Sequence, residues 1–363
     1  MELNIPVLLV GNFLSAAGGS RGVCEELAVR LAANGTTVFT TSSQPMRIRR
    51  LWDMLSTIYK KRHQYAVAQV DVYSGPAFFW AEAACALLRW LNKPFVLTLH
   101  GGNLPNFARK HSNRVQRLLA SADAVTTPSR YLLEQMTPYK TDLRLLLNAL
   151  DLSQYTFIVR EQANPTLTWL RAFHEIYNPS LAPRVAGLLA AQFPEMQLTM
   201  IGPDKGDGSL QRTREQANSH KVQLTLPGGV SKAKVPLWLN RADIFLNTTN
   251  VDNAPVSVLE AMACGLCVVS TNVGGLTYLL EDGHNALLVP PDDAEAMARA
   301  VSRIITNPEL AKKLSQNARV KAKEHDWSRV LPQWHDLFHS IVKSGRQSFQ
   351  SHVSQTKQSG AVA

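Results

Sequence analysis

Residues 243–275 read D-I-F-L-N-T-T-N-V-D-N-A-P-V-S-V-L-E-A-M-A-C-G-L-C-V-V-S-T-N-V-G-G. The apolar runs 243–247 and 267–271 have strand length and strand composition, and a helix is expected between them from about Pro255 and Val256 onward. Proline suits the first helical position, where its missing amide would have no partner anyway. Strand, helix and strand joined by short turns form the crossover unit of a parallel sheet. The free amides of that helix's first turn would face an anion lying beyond the strand ends.

The same alternation extends both ways. Further strands are expected at 166–171, 197–201, 222–226 and 286–289, and in the first half at 5–10, 36–41, 66–73, 94–99, 123–127 and 143–147. First-half helices fall at about 21–34, 46–62, 77–91, 107–121 and 129–136, and later ones at 292–306 and 308–325. The stretch 151–165 lacks a clear period and ends at Asn164-Pro165, so it reads as a linker between domains at 1–150 and 166–326. Trp327, Val330, Leu331, Trp334, Leu337, Phe338 and Ile341 then repeat at helical spacing, which predicts a helix over 327–344 with Pro332 in its first turn or at a kink. The Ser/Gln-rich, acid-free stretch 345–363 reads as disordered. Doubly wound sheets bind ligands at the carboxyl ends of their strands, so two such domains imply a cleft between them.

Hydrophobic residues make up 45% of the 363 and charged ones 18%, which excludes a mainly disordered chain. The net charge of +10 is unevenly placed: residues 1–150 carry 17 basic and 9 acidic side chains, residues 151–363 carry 21 and 19. Such a field suggests an anionic partner for the first half, whether nucleic acid, a membrane surface or a phosphorylated substrate. No apolar run approaches the ~20 residues that span a bilayer. The opening M-E-L-N-I-P-V-L-L-V-G reads as a buried strand, not a signal peptide. Cys24, Cys85, Cys264 and Cys267 are too few and too scattered for a disulfide scaffold. The C-x-x-C of Cys264 and Cys267 has no second Cys/His pair nearby, so the pair reads as two small buried residues at a helix-to-strand junction. A cytoplasmic setting follows.

Absent motifs narrow the ligand. No G-x-G-x-x-G follows a strand, no G-x-x-x-x-G-K-[ST] occurs, and there is no D-x-D to hold a donor through a divalent metal. Gly18 and Gly19, after the first strand, suit either a phosphate-binding loop or a plain turn. His100 ends the fourth strand in T-L-H-G-G, where a ligand contact and a histidine satisfied by loop backbone are both reasonable. The loop I-G-P-D-K-G-D-G-S-L at 201–210 offers three glycines and Lys205, as a phosphate contact or a solvated turn. Glu260, one turn inside the helix after Pro255, can accept two adjacent hydroxyls such as those of a ribose, and Asp252 precedes that helix in the loop.

With those residues in place, the chain resembles the retaining glycosyltransferases of family 4, which have the two-domain GT-B fold. The resemblance covers about residues 5–342 and is most specific at 247–291, where L-E-A-M-A-C-G-L-C-V-V-S-T-N-V-G-G and D-G-H-N-A-L-L-V-P-P-D-D stand for the family pattern. It implies an α/β architecture of two doubly wound Rossmann-like domains with an interdomain cleft, and a C-terminal helix returning to the first domain. It also implies transfer of a sugar from a nucleotide-diphosphate sugar to an acceptor hydroxyl, with retention and with neither metal nor other cofactor. Glu260 matches the glutamate that holds the donor ribose. Asp252, eight positions earlier, replaces the glutamate that meets the donor sugar near its reacting carbon, with one methylene less of reach. Ala254 and the amides of Val256 and Ser257 would line the donor site at its diphosphate, with Gly18 and Gly19 as a phosphate loop and His100 as the sugar-facing histidine. Asp252, His100 and Glu260 are thus the expected catalytic set. Arg171 matches the first of two cations that neutralise the leaving diphosphate, but Ile176 and Tyr177 occupy the positions of the second. Lys205 is the candidate replacement.

The basic first half bears on the acceptor. Over 46–62, Ile48, Leu51, Trp52, Leu55, Ile58 and Tyr59 are expected on one helical face, with Arg47, Arg49, Arg50, Lys60, Lys61 and Arg62 at the ends. Such a helix suits an anionic membrane surface, or packs on the sheet with its charges solvated. Arg109, Lys110, Arg114 and Arg117 form a second cluster that suits acceptor phosphates or a solvated helix face. The expected acceptor is a lipid-linked or other saccharide acceptor of surface polysaccharide assembly, met by a peripheral enzyme at the cytoplasmic membrane face. A sugar-nucleotide 2-epimerase of GT-B architecture and a non-catalytic nucleotide-sugar binder are the alternatives. No motif supports a nucleic-acid partner.

Overall fold

The computed structural model describes residues 5–15 and 22–359, with backbone alone for 345–359. The chain divides into two units, Met1–Leu147 with Ser328–Ala363, and Asn148–Trp327. All twelve expected strands are present.

In unit 1 the strands β1 (Val7–Val10), β2 (Val38–Thr41), β3 (Val67–Val72), β4 (Phe95–Leu99), β5 (Ala124–Thr127) and β6 (Arg144–Leu145) form one parallel sheet, in the order β2-β1-β3-β4-β5-β6. Every residue of β1, β3, β4 and β5 is buried, because helices cover both faces; that is why these strands read as continuous apolar runs instead of alternating ones. The strand order reverses around β1, so the carboxyl ends of β1 and β3 mark a switch point where such sheets bind ligands.

The unit 1 helices are α1 (Val23–Ala33), α2 (Arg47–Lys60), α3 (Phe78–Trp90), α4 (Leu104–Lys110), α5 (Ser112–Ala120) and α6 (Arg130–Met136). The single helix expected at 107–121 is two, because His111 leaves helical geometry at φ −132° while its ring packs 4.6 Å from that of Phe107.

The one apolar face expected on α2 is also divided. Met54 and Ile58 are buried with Arg50, whereas Ile48 is 74% and Trp52 70% exposed on the opposite side, two positions being 200° apart on a helix. Arg50 is held inside by the carbonyls of Gln44 and Pro45 and by Asn12 Oδ1.

Unit 2 repeats the plan. Strands β7 (Thr166–Leu170), β8 (Gln197–Ile201), β9 (Gln223–Gly228), β10 (Ile244–Asn247), β11 (Cys267–Thr271) and β12 (Leu287–Val289) are parallel, in the order β12-β11-β10-β7-β8-β9. The helices are α7 (Leu181–Leu189), α8 (Ser209–Ser219), α9 (Val235–Leu239), α10 (Val256–Cys264), α11 (Leu276–Leu279), α12 (Ala294–Thr306) and α13 (Pro308–Lys323). The stretch 151–165, expected as a separate linker, belongs to this unit. Its Arg160 is buried and donates to the carbonyls of Ile158, Ala242 and Cys264 while pairing with Asp243 at 3.0 Å. Leu150 N bonds His325 O, which closes the unit near its two ends.

The final helix, α14, runs Trp327–Ser359, and from Ser328 onward it groups with unit 1. Val330, Trp334, Leu337, Phe338 and Ile341 are buried along it, as their spacing predicts, and Pro332 lies inside the helix. The backbone stays helical through 345–359, where the sequence suggests disorder: that stretch lacks proline and has no glycine after Gly345, and its Gln, Lys and Arg favour helix.

Candidate functional site

The decisive stretch places α10 with its amino end beyond the β10 strand end. Gly265, at φ +81°, ends α10 in the left-handed conformation that glycine adopts without strain. Arg160 donates to Cys264 O at 2.9 Å and Arg319 to Ala263 O at 2.6 Å, so two cations meet the negative end of the helix dipole. Cys264 and Cys267 are buried free thiols at this helix-to-strand junction, both pushed up to about 12 by burial. At the other end, the Ser257 hydroxyl is buried with no hydrogen-bond partner among the described residues.

The loop before α10 is fixed by close backbone approach. Asn148 Nδ2 donates to Ala254 O, and Gly275 N donates to Asp252 O at 3.0 Å. A Cβ on Gly275 would lie 1.6 Å from Asn253 O, and one on Gly274 2.3 Å from Asp252 O. The Gly-Gly of the sequence motif is thus space for the loop that carries Asp252. Thr248, Thr249 and Asn250 bond the carbonyls of Ile176 and Tyr177, which seats the turn after β7 against the same loop.

Four charged side chains converge on this floor. Arg171, just past β7, is ion-paired with Asp252, and its guanidinium lies 4.5 Å from the centre of the Tyr177 ring. Burial pushes the Arg171 pKa below its ordinary value, opposed by the charges of Tyr177 and Glu260. Glu260 Oε1 accepts from the Tyr155 hydroxyl at 2.7 Å and from Lys232 Nζ at 2.5 Å. Arg171 Nε is buried without a partner among the described residues. Lys205 joins none of these contacts: its side chain is exposed, on a loop whose backbone is tied to Phe173 O and whose Asp207 accepts from Glu175 N.

In unit 1, His100 follows β4, and its Nε2 lies 3.0 Å from Asp71 Oδ1. Gln69 Nε2 bonds the same oxygen at 2.8 Å, and the Tyr73 ring stacks on His100 at 5.0 Å. Burial, then the charge of Asp71, raises the pKa of both Cys24 and Tyr73. Gly18 and Gly19 lie outside the described residues. Glu25 accepts from Ser15 N and Gly22 N, each at 2.9 Å, on either side of that segment. In the second basic cluster Arg114 is committed to Glu82 through two contacts of 2.6 and 2.5 Å, while Arg109, Lys110 and Arg117 are exposed.

Residues 17–154 match the family described as Glycosyltransferase Family 4, and residues 160–321 match Glycosyl transferases group 1. The chain belongs to glycosyltransferase family 4. Among its relatives, the glycogen synthase of Mycobacterium tuberculosis is 23% identical over 295 residues, covering 76% of this chain and 70% of that protein. The solved sucrose-phosphate synthase of Thermosynechococcus elongatus superposes with a TM-score of 0.78 at 19% identity, over 94% of this chain and 100% of that one. Anabaena HepE, solved with UDP and glucose, gives 0.72 at 15% identity, over 93% and 100%. This family 4 enzyme therefore has the GT-B fold, and it is a glycosyltransferase that takes its sugar from a nucleotide sugar.

Three residues that contact the candidate side chains of this glycosyltransferase escape sequence reading. Lys232 sits in the short basic loop S-K-A-K, and Tyr155 in a stretch without period. Asp71 left a trace, a carboxylate two positions from Gln69 in the strand V-A-Q-V-D-V.

Proposed function

We propose that unit 2 binds the nucleoside-diphosphate sugar and that unit 1 carries the acceptor. The observation that supports this reading best is the amino end of α10, where free amides and the unpartnered Ser257 hydroxyl stand beside the cation Arg171 and the carboxylates Asp252 and Glu260. Amides and cations suit a diphosphate, and carboxylates suit sugar hydroxyls. Glu260 takes the ribose diol, Asp252 orients the donor sugar, and the amides of Val256 and Ser257 meet the phosphates next to Ala254. The bond from the anomeric carbon to the diphosphate breaks, the acceptor oxygen bonds that carbon on the same face, and the leaving phosphate takes the acceptor proton. Charge developing on the diphosphate is met by Arg171 and helix amides, which are already oriented. In unit 1, His100 is held by Asp71. A thermal-shift panel of nucleotide sugars, followed by mass spectrometry of the transfer product, tests this: stabilisation by no nucleotide sugar refutes the donor site. Epimerised nucleotide sugar formed without acceptor would favour the 2-epimerase reading.

The acceptor is lipid-linked, and the enzyme is peripheral on an anionic membrane face. The outward face of α2 supports this: Ile48, Trp52 and Tyr59 are exposed there, Tyr59 stacks on the exposed Trp90 at 6.4 Å, and Arg47, Arg49 and Lys60 flank them. Aromatic rings between cations suit the headgroup region. No helix among the described residues is long and apolar enough to cross a membrane. In flotation with phosphatidylglycerol vesicles, the wild type binds at low salt and Trp52→Ser releases it; equal flotation of both refutes the surface.

A further inference from the structure

Glu260 Oε1 holds two hydrogen-bond donors that differ in freedom. The Tyr155 ring is buried and fixed, whereas the Lys232 side chain is 36% exposed at the end of a flexible stem. The Glu260 side chain itself is 6% exposed, and Oε2 accepts from no described residue. A vicinal diol that binds a carboxylate uses one hydroxyl on each oxygen. Oε2 is open to the first, but Oε1 already carries an ammonium and a phenol, so the second must displace one of them. Lys232 is the one that can leave.

We propose that Lys232 is the second donor-binding cation of the site: it pairs with Glu260 when the donor is absent and turns to the diphosphate when the ribose takes its place. This rests on the donor site proposed above. Glu260 is four residues into α10 from Val256, which at 1.5 Å per residue puts it about 6 Å along the axis from the first amides. A lysine stem covers that interval by changing rotamers. The electrostatics call for the move. Arg171 is already paired with Asp252, so a diphosphate arriving with two or more negative charges meets one compensated cation and a row of amides. The tyrosine at position 177 supplies a ring under Arg171 but no second cation, and Lys205 is exposed on another loop. Among the described residues Lys232 is the cation that contacts the carboxylates of this cluster besides Arg171.

The test compares Lys232→Met and Lys232→Arg with the wild type by calorimetry, using UDP, GDP and ADP together with the three nucleosides. Lys232→Met is expected to weaken the accepted nucleoside diphosphate by about 10- to 100-fold, as loss of one charge-assisted contact does. It should change affinity for the matching nucleoside by less than ~3-fold, and Lys232→Arg should keep most of the diphosphate affinity. Equal losses for nucleoside and diphosphate would show that Lys232 only orients Glu260, and unchanged diphosphate binding would show that it stays on the carboxylate; either overturns the proposal. A wild type that binds none of the three diphosphates overturns the donor site itself, and this inference with it.

Discussion

Replacing Gly275 by alanine tests whether the loop carrying Asp252 is seated by backbone contact. The backbone of Gly275 is ordinary at φ −70°, so the substitution adds no dihedral strain. The added methyl carbon would instead lie 1.6 Å from Asn253 O, so that carbonyl must retreat by about 1.4 Å to reach the 3.0 Å at which a Cβ first fits. Overpacking of this kind costs roughly 1–3 kcal/mol. At 2–4 °C per kcal/mol for a unit of this size, a cost of ~2 kcal/mol lowers Tm by about 4–8 °C. The kinetic effect is larger, because displacing a substrate-orienting group by ~1 Å can cost about 100-fold in turnover. Calorimetric unfolding and the initial rate of nucleoside-diphosphate release measure the two effects. Gly283→Ala is the control: Gly283 has φ +68° and no neighbour within 4 Å, so alanine there costs a comparable ~1–2 kcal/mol through left-handed backbone strain but moves no loop. If Gly275→Ala turns over donor as fast as Gly283→Ala does, the Gly-Gly motif does not position Asp252 and the site is wrongly built.

Glu260→Ala is expected to abolish measurable turnover and weaken donor binding; near-normal kinetics would remove Glu260 from the site. Arg171→Lys keeps the charge but loses the planar face over Tyr177 and the guanidinium contact with Asp252, and kcat should fall about 10- to 100-fold in steady-state assays. Arg160→Met strips a buried cation from Asp243 and three carbonyls, and denaturant unfolding should show a loss of about 3–5 kcal/mol. Burial holds the His325 pKa below its ordinary 6.5, so below that pH the unfolded chain takes up a proton that the folded one resists. Stability is therefore full above pH 6.5 and declines as pH falls below it. In His325→Gln that part of the acid slope should vanish from Tm measured across pH 5–7, and a persisting slope would assign it elsewhere.

Twelve strands and most helices are legible in the sequence because a sheet covered on both faces demands unbroken apolar runs, and covering helices demand a one-sided pattern. Val7–Val10 and Cys267–Thr271 carry that signal by themselves. The break at His111 does not, since a ring packed on Phe107 outweighs the local period. On α2 a single composition served two opposite faces, and only packing separated the buried Met54 and Ile58 from the exposed Ile48 and Trp52.

The strand–helix alternation and the α10 motif pointed from sequence alone to a two-domain α/β glycosyltransferase, and they singled out Glu260, Asp252 and Arg171 as the residues proposed for its donor site. Motifs of that kind are local: a strand end, a turn and a helix start are contiguous in the chain. Which groups complete the site was decided by the tertiary structure. Lys232 and Tyr155 reach Glu260 across 28 and 105 residues, Tyr177 underlies Arg171, and Arg114 is withdrawn into a pair with Glu82. Long-range pairing depends on how whole elements stack, and no spacing rule in the chain encodes it.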